Sequence, residues 1–506
     1  MLEALGIVAC VLTASLVWLR SWWGPGRALG AFAIVAAAAL AVALAPRARS
    51  APAGAPGERP RQGYVSSNVC QSCHPSEYAS WHRSYHRTMT QVASSKSVLA
   101  PFDGTHLEVD GRSIDLEQRG EEFWARLPDP DLVADAARAG SNEPSAAAPL
   151  VRRRVLMTTG SHHYQVYWVG GRRGNELRLL PAVYLLAERR WVPRKDAFLQ
   201  PSGAHAQTVR WNSNCVQCHS VAGRPQHDEA SDQFATEAVE LGIACESCHG
   251  PGQAHVQKQH NPAQRYLTRW SGGNDETIVN PLRLDQARAS QICGQCHAYF
   301  VPRDENSWWR AGFAETYRAG ESLERSRLLL EPSRAEWRAA VEADPDSIFW
   351  PDGTIRIGGR EYNGMVRSAC YERGHGPKKL SCLSCHSMHQ SEPDDQLSEA
   401  GSSDAACSKC HAELSRQGSA HTHHAADSTG SRCIGCHMPF TSYALFKGIR
   451  SHRVDSPSVN RELAAPRPNA CNLCHTDRSL GWSAGYLTRW YGQPVPVLND
   501  RERDFS

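Results

Sequence analysis

One short motif, Cys-x-x-Cys-His, recurs eight times in this 506-residue chain and constrains its fold more than any other feature. The motifs are Cys70/Cys73/His74, Cys215/Cys218/His219, Cys245/Cys248/His249, Cys293/Cys296/His297, Cys382/Cys385/His386, Cys407/Cys410/His411, Cys433/Cys436/His437 and Cys471/Cys474/His475. They use sixteen of the 18 cysteines and leave Cys10 and Cys370 over. A disulfide framework does not require this spacing, so the pattern indicates eight copies of one binding unit.

The chemistry of the motif points to covalently bound haem. Two thiols about one helical turn apart can reach the two vinyl groups of one porphyrin, and the adjacent histidine then binds the iron. Paired Cys-x-x-Cys elements also build zinc sites, but zinc does not require a histidine after every second cysteine. The sequence therefore predicts eight covalently attached haem c groups, with the eight motif histidines as the first axial ligands.

The second axial ligand of each iron decides what the haem can do. Iron held by two histidines is saturated and passes electrons, whereas an open sixth position allows chemistry. The predicted second ligands are His86, His163, His205, His255, His389, His423, His424 and His452. The neighbouring His162 and His421 are further candidates, and His106, His227, His260 and His375 lie in no comparable setting. No Cys-x-x-Cys-Lys variant of the motif occurs in the chain.

The N-terminus reads as membrane or export sequence. Two apolar runs, 4–19 and 28–46, are separated by a turn that Arg20 and Arg27 bracket. The lengths predict a transmembrane anchor of one or two helices. A signal peptide cleaved near Ala45 is the alternative. Either interpretation places the bulk of the chain on the periplasmic side of a cytoplasmic membrane.

Uneven spacing of the motifs suggests the domain organisation. We expect a transmembrane anchor (1–46), a disordered tether (47–63), a first haem module (64–100), a β-rich inserted domain (101–205), a three-haem module (206–300), a connecting region (301–370) and a four-haem module (371–506). The predicted fold class is a mainly α and irregular multihaem cytochrome c fold, with this β-rich insertion and the N-terminal anchor. With so many motifs, porphyrins would supply much of the core.

Three stretches carry a resemblance to a known group. They are the opening 64–86 around the first motif, the run 242–255 around the third, and Cys433 to Pro439 with the later His452. In these stretches the chain resembles the multihaem c-type cytochromes related to the nitrifier tetrahaem cytochrome, pentahaem nitrite reductase and hydroxylamine oxidoreductase. The resemblance implies haems stacked in parallel and perpendicular pairs with short edge distances, and a histidine downstream of the first motif that ligates a haem.

Two functions follow from these features. The first is electron transfer in the periplasm through mostly bis-histidine haems, from a quinol-oxidising complex to a soluble cytochrome or terminal reductase. The second is an oxidoreductase that acts on a nitrogen or sulfur oxyanion at one open haem, with Arg152, Arg153, Arg154 or His162 nearby. Nucleic acid is not an expected partner, because the net charge is only +3; the sequence leaves the oligomeric state open. Cys370 is either a reactive thiolate near a haem or a buried, inert side chain.

Overall fold

The fold is given by a computed structural model that describes residues 54–109, 111–138, 148–197, 209–331, 348–442 and 447–500. The helices in these ranges are short, because a motif needs only one turn of helix. The α-helices are Ser67–Gln71, Pro75–His82, Tyr85–Thr88, Pro130–Arg138, Arg194–Ala197, Trp211–Asn214, Cys245–His249, Gln253–Gln259, Pro262–Trp270, Gln286–His297, Glu305–Ala311, Phe313–Thr316, Glu361–Met365, Ala369–Glu372, Ala405–Ser408, Ala412–Gln417, Ser419–Thr422, Cys433–His437, Val459–Ala464 and Leu480–Tyr491. Single turns of 3-10 helix lie at Pro281–Arg283, Leu323–Arg325, Gly376–Lys378, Cys382–Ser384 and Thr429–Ser431.

Strands account for much of the remaining described chain. They are β1 (Gly57–Glu58), β2 (Thr90–Val92), β3 (Asp103–Val109), β4 (Arg112–Arg119), β5 (Glu122–Pro128), β6 (Leu150–Thr159), β7 (Tyr164–Gly170), β8 (Leu177–Leu179), β9 (Ala182–Leu185), β10 (Arg190–Pro193), β11 (Ser220–Val221), β12 (His227–Asp228), β13 (Gln233–Phe234), β14 (Glu237–Ala238), β15 (Glu240–Leu241), β16 (Phe300–Pro302), β17 (Arg327–Leu329), β18 (Phe440–Ser442) and β19 (Gly448–Arg450). Ten of these strands form two-stranded ladders, which pair β1 with β14, β11 with β15, β12 with β13, β16 with β17 and β18 with β19.

The other nine strands form one large antiparallel sheet. Its spatial order is β10-β9-β7-β6-β5-β4-β3, with β2 paired to β6 and β8 paired to β7. Glycines make the tight connections on either side of β4, where Gly111 and Gly120 take positive φ values of 70° and 60°. Such values are accessible to glycine without steric cost. Most neighbours in the sheet are therefore consecutive in the chain.

Both faces of β7 are buried, and one of them packs on a motif. Side chains alternate along β7, so that Tyr167 and Val169 join one apolar cluster while Val166 and Trp168 join the other. The second cluster also contains Trp211 from the segment that leads into the second motif. The sheet thus fixes the position of that motif by apolar packing.

A buried ion cluster lies where the sheet meets the same segment. Glu176 is fully buried and pairs with Arg178 at 2.8 Å and with Arg210 at 2.7 Å. Asp131, also fully buried, lies 3.5 Å from Arg178 and 3.2 Å from Arg153. Removing one charge from such a cluster leaves its partners uncompensated away from water.

The predicted fold class is wrong. A mainly α and irregular fold does not accommodate a nine-stranded sheet that holds the two largest apolar clusters of the described chain. The error arose because helix content was inferred from the eight motifs, although each motif occupies only a single helical turn. The predicted anchor, 1–46, lies outside the described residues, and within them no helix is long and apolar enough to cross a bilayer. The structure therefore gives the membrane anchor no support, and the domain boundaries stay a prediction.

Candidate functional site

Each motif forms one helical turn that brings its two thiols and its imidazole to the same side. In five motifs the backbone N–H of the histidine donates to the carbonyl of the first cysteine at 2.9–3.0 Å; these histidines are His74, His219, His386, His411 and His475. The other three motifs lie within the helices Cys245–His249, Gln286–His297 and Cys433–His437. A helical turn places positions one, four and five of the motif close together, as covalent attachment of one porphyrin requires.

The thiols of the motifs carry no other covalent bond. All 17 cysteines in the described ranges are free. In the same ranges, no three side chains of the types His, Cys, Asp or Glu converge as they would around a zinc ion. The donor arrangement that the structure does show is different and consists of facing histidines.

Six pairs of histidine rings face each other across a gap of constant width. The pairs, with the distance between ring centroids and the angle between ring planes, are His74–His255 (6.2 Å, 27°), His86–His297 (6.3 Å, 60°), His249–His389 (6.2 Å, 19°), His386–His452 (6.3 Å, 16°), His421–His437 (6.4 Å, 5°) and His424–His475 (6.0 Å, 35°). Every pair joins one motif histidine to one histidine outside the motifs.

The width of this gap fits a metal ion held from both sides. Metal–imidazole bonds of about 2.0–2.1 Å, with about 1.1 Å from each nitrogen to its ring centroid, separate the centroids by about 6.3 Å. Stacked rings in direct contact lie closer, as His162 and His163 do at 3.8 Å. The six pairs therefore fit iron with two histidine ligands, the arrangement that saturates a haem.

A second feature of the fold also fits haem. Among the described residues from 366 to 458, no hydrophobic side chain is buried. This stretch contains the fifth, sixth and seventh motifs, yet its chain follows a defined path through many backbone hydrogen bonds. A region of this length needs an apolar interior. Porphyrins attached at the three motifs would supply it.

Two motif histidines face no second histidine among the described residues. They are His219, which is partly buried, and His411, which is exposed. The ring nitrogen Nδ1 of His219 is buried and has no hydrogen-bond partner. Of the predicted second ligands, His205 lies outside the described residues.

The structure places the remaining predicted ligands in two groups. His86, His255, His389, His424 and His452 each face a motif histidine. His163 and His423 do not, because His163 stacks on His162 and His423 stacks on Trp490 at 4.0 Å.

His421 faces the seventh motif and was not among the eight predicted second ligands. Spacing along the chain carries no signal that separates it from His423, since both lie between the sixth and seventh motifs. The backbone of His423 lies in the left-handed region, with φ 55°. Its ring therefore stacks on Trp490 and does not face the seventh motif, as the ring of His421 does.

The eight motifs also contact one another in a continuous order. Cysteines of different motifs lie within hydrogen-bonding contact in four places, Cys70 with Cys245, Cys218 with Cys296, Cys293 with Cys382, and Cys407 with Cys433. Electrostatic interactions join Cys248 to Cys293, Cys385 to Cys407 and Cys436 to Cys474. The motifs therefore run in the order one, three, four, five, six, seven, eight, with the second branching from the fourth.

Glu246 fastens the first motif segment to the third motif. Its carboxylate accepts the backbone N–H of Val65 at 2.9 Å and that of Gly252 at 2.7 Å. Burial raises the pKa of Glu246 to about 7, against the two N–H donors, which lower it. This side chain lies inside the third motif, so it couples the fold of one motif to the position of another.

Polar groups from the large sheet reach the second motif. Tyr164 and Arg194 both interact electrostatically with Cys215, and burial raises the pKa of the Tyr164 phenol.

The three arginines predicted to lie near an open haem instead pair with acidic side chains. Arg152, Arg153 and Arg154 lie on β6, where they pair with Glu117, with Asp129 and Asp131, and with Glu122, respectively.

Cys370 lies close to the sixth motif. Its thiol interacts electrostatically with Cys410, and burial raises its pKa. A raised pKa lowers the thiolate fraction at neutral pH and with it the reactivity of the thiol. The structure favours the inert interpretation of Cys370 over the reactive one.

Two family models and two solved structures match parts of this chain. Residues 188–250 match the family model described as cytochrome c554 and c-prime, and residues 375–416 match that of the doubled CXXCH motif. A crystal structure of the outer cell wall cytochrome OcwA is similar at a TM-score of 0.56 and 15% identity, covering 85% of this chain and 87% of that one. The Wolinella succinogenes octaheme sulfite reductase MccA is similar at a TM-score of 0.32 and 15% identity, covering 78% and 58%. No curated protein matches the chain.

Proposed function

Since the chain is a multihaem c-type cytochrome, we propose that it holds eight covalent haems and transfers electrons along them. The observation that carries this proposal is the set of six facing histidine pairs with centroids 6.0–6.4 Å apart. When bound, haem supplies iron that gains and loses one electron at a time. The six histidine pairs would hold that iron from both sides, which would exclude substrate there and favour electron transfer over catalysis.

The contacts between motifs support a conduit. An electron carrier needs its redox centres in an unbroken sequence, and four cysteine contacts together with three longer-range electrostatic interactions between cysteines link all eight motifs. The two ends of the main sequence, apart from the branch to the second motif, are the first and the eighth motifs, where Cys73 and Cys474 are exposed, as is Cys410 of the sixth. We therefore assign entry and exit of electrons to these two ends.

Location and partners belong to the same proposal. The apolar N-terminal stretch of the sequence supports export, and we place the protein on the exported side of the cytoplasmic membrane. There a quinol-oxidising complex would supply electrons, and a soluble cytochrome or a terminal reductase would accept them.

A second candidate function rests on the second motif. Tyr164 and Arg194 place a phenol and a guanidinium within electrostatic range of Cys215. A cation and a hydroxyl donor are the groups that bind a small oxyanion and deliver a proton to it. The second candidate is therefore an oxidoreductase that acts on a nitrogen or sulfur oxyanion at the haem of this motif.

One sample of mature protein tests both candidates. Electron transfer along eight haems predicts a mass that includes eight porphyrins and a spectrum in which at least six of the eight are low-spin. A mass without porphyrin, or fewer than six low-spin haems, would overturn the proposal. A high-spin fraction that binds cyanide or nitric oxide, and that Arg194→Gln alters, would favour the second candidate.

A further inference from the structure

The histidines that face each other differ in what binds their other ring nitrogen. The Nδ1 atoms of His249, His386 and His437 in the motifs, and of His424 and His452 opposite them, bond to backbone carbonyl oxygens at 2.6–3.0 Å. Two histidines instead bond to carboxylates at 2.8 Å, His297 to Glu361 and His255 to Asp275. His297 is the one motif histidine in the described chain for which the structure gives a carboxylate partner.

Glu361 is held firmly in this position. Its second carboxylate oxygen accepts the backbone N–H of Gly359 at 2.7 Å. The adjacent Arg360 donates to the carbonyl of Cys296 at 3.2 Å. Asn363 exchanges hydrogen bonds with the backbone of Tyr299, at 2.6 Å and 3.3 Å. The segment 359–363 is thus bonded at several points to the C-terminal end of the fourth motif, and these bonds hold the carboxylate against His297.

The carboxylate of Asp275 acts in a different environment. Besides the His255 ring it accepts the ammonium group of Lys258 at 3.1 Å and the backbone N–H of Thr277 at 3.0 Å. A cation on the same carboxylate offsets its negative charge. Glu361 accepts the neutral backbone amide of Gly359 in that place, and in the described chain the nearby Arg360 acts on His297 without bonding to the Glu361 carboxylate.

We propose, on the basis of the haem chain assigned above, that Glu361 is the residue that lowers the reduction potential of the haem at the fourth motif. A carboxylate on Nδ1 makes an imidazole a stronger donor to iron and favours the more highly charged, oxidised form. The fourth motif is also the branch point, because Cys296 contacts Cys218 and Cys293 contacts Cys382. Glu361 would therefore set the potential at the junction between the main sequence of motifs and the second motif.

The test compares substitutions that separate charge from shape. Glu361→Gln keeps the size of the side chain and one of its two acceptor oxygens but removes its charge, Glu361→Asp keeps the charge, and Asp275→Asn is the matched control at the first motif. In a spectroelectrochemical titration of the full protein, Glu361→Gln should move one of eight components to higher potential. Glu361→Asp should keep that component low, and Asp275→Asn should shift its own component less.

An unchanged titration in Glu361→Gln, with all haems present by mass and low-spin, would overturn the role of Glu361 and leave the electron-transfer function standing. Equal loss of one haem in Glu361→Gln and Glu361→Asp would also overturn it, because shape rather than charge would then hold His297. Failure of the proposed function is distinguishable, since it would show in the wild-type protein as missing or high-spin haem.

Discussion

The segment between the sixth and seventh motifs offers the sharpest test of the histidine pairs. Three histidines lie within four residues there, and the structure gives each a different neighbour. The ring of His421 faces His437 of the seventh motif at 6.4 Å and 5°, whereas His424 faces His475 of the eighth at 6.0 Å. His423 between them stacks on Trp490 at 4.0 Å and 14°.

We predict that His421→Ala removes the second ligand of the haem at the seventh motif, whereas His423→Ala removes none. The backbone explains why His423 does not substitute for its neighbour: with φ at 55° it lies in the left-handed region, and its ring stays on Trp490. Turning that residue to the other side would require refolding the end of helix Ser419–Thr422. One open position among eight motifs corresponds to one eighth of the haem.

The measurement is the high-spin fraction of each purified variant by absorbance and electron paramagnetic resonance, followed by titration with cyanide. His421→Ala should gain one eighth of the total haem as a high-spin, cyanide-binding species relative to wild type. His423→Ala should match wild type. High-spin haem in His423→Ala but not in His421→Ala would refute the assignment, and no change in either would refute iron in this gap.

Three further predictions concern stability. Glu176→Gln should lower the free energy of unfolding of the sheet by about 3 kcal/mol, because it leaves buried guanidiniums uncompensated. As a control, Glu122→Gln, at an exposed ion pair, should cost less than about 1 kcal/mol. Equal unfolding midpoints of the two variants in urea would contradict this prediction. Because folding raises the pKa of Glu246 to about 7, its stabilising contribution is complete below the unfolded value near 4.3 and is lost, by about 4 kcal/mol, as the pH rises from there through 7. Glu246→Gln should flatten the dependence of the melting temperature between pH 5 and pH 8, and an unaltered slope would count against it. In full-length chain without haem, hydrogen exchange should leave β2 to β10 protected and be fast across 366–442; slow exchange there would contradict a porphyrin core.

The sequence located the binding units and could not locate their partners. Each motif is local, since a helical turn of five residues contains both thiols and one imidazole, so spacing alone identified all eight. The pairing is not local. His86, which follows the first motif, faces His297 of the fourth, and His389, which follows the fifth, faces His249 of the third. Which motif a histidine reaches depends on chain crossings that no spacing encodes.

The sheet was underestimated for a related reason. Alternation along β7 was visible in the sequence, because Val166 and Trp168 belong to one face and Tyr167 and Val169 to the other. Apolar residues on both sides of β7 also mean that both of its faces are packed against other parts of the chain. The sheet is therefore part of the core of the fold and not a peripheral insertion. The sequence does not show what covers the second face. In the structure, Trp211 from the second motif segment packs against it.

These two observations explain how one chain combines two kinds of interior. In the sheet, side chains such as Trp168 and Leu177 are buried against each other, and the polypeptide alone supplies the apolar area. Between 366 and 458 the described chain buries no hydrophobic side chain and instead arranges histidines in facing pairs. If haem binds as proposed, ligand geometry rather than side-chain packing would fix this region, and a histidine there would serve both stability and electron transfer. The sheet meets the motifs at the second one, where Trp211 packs into its apolar cluster and Tyr164 and Arg194 interact electrostatically with Cys215.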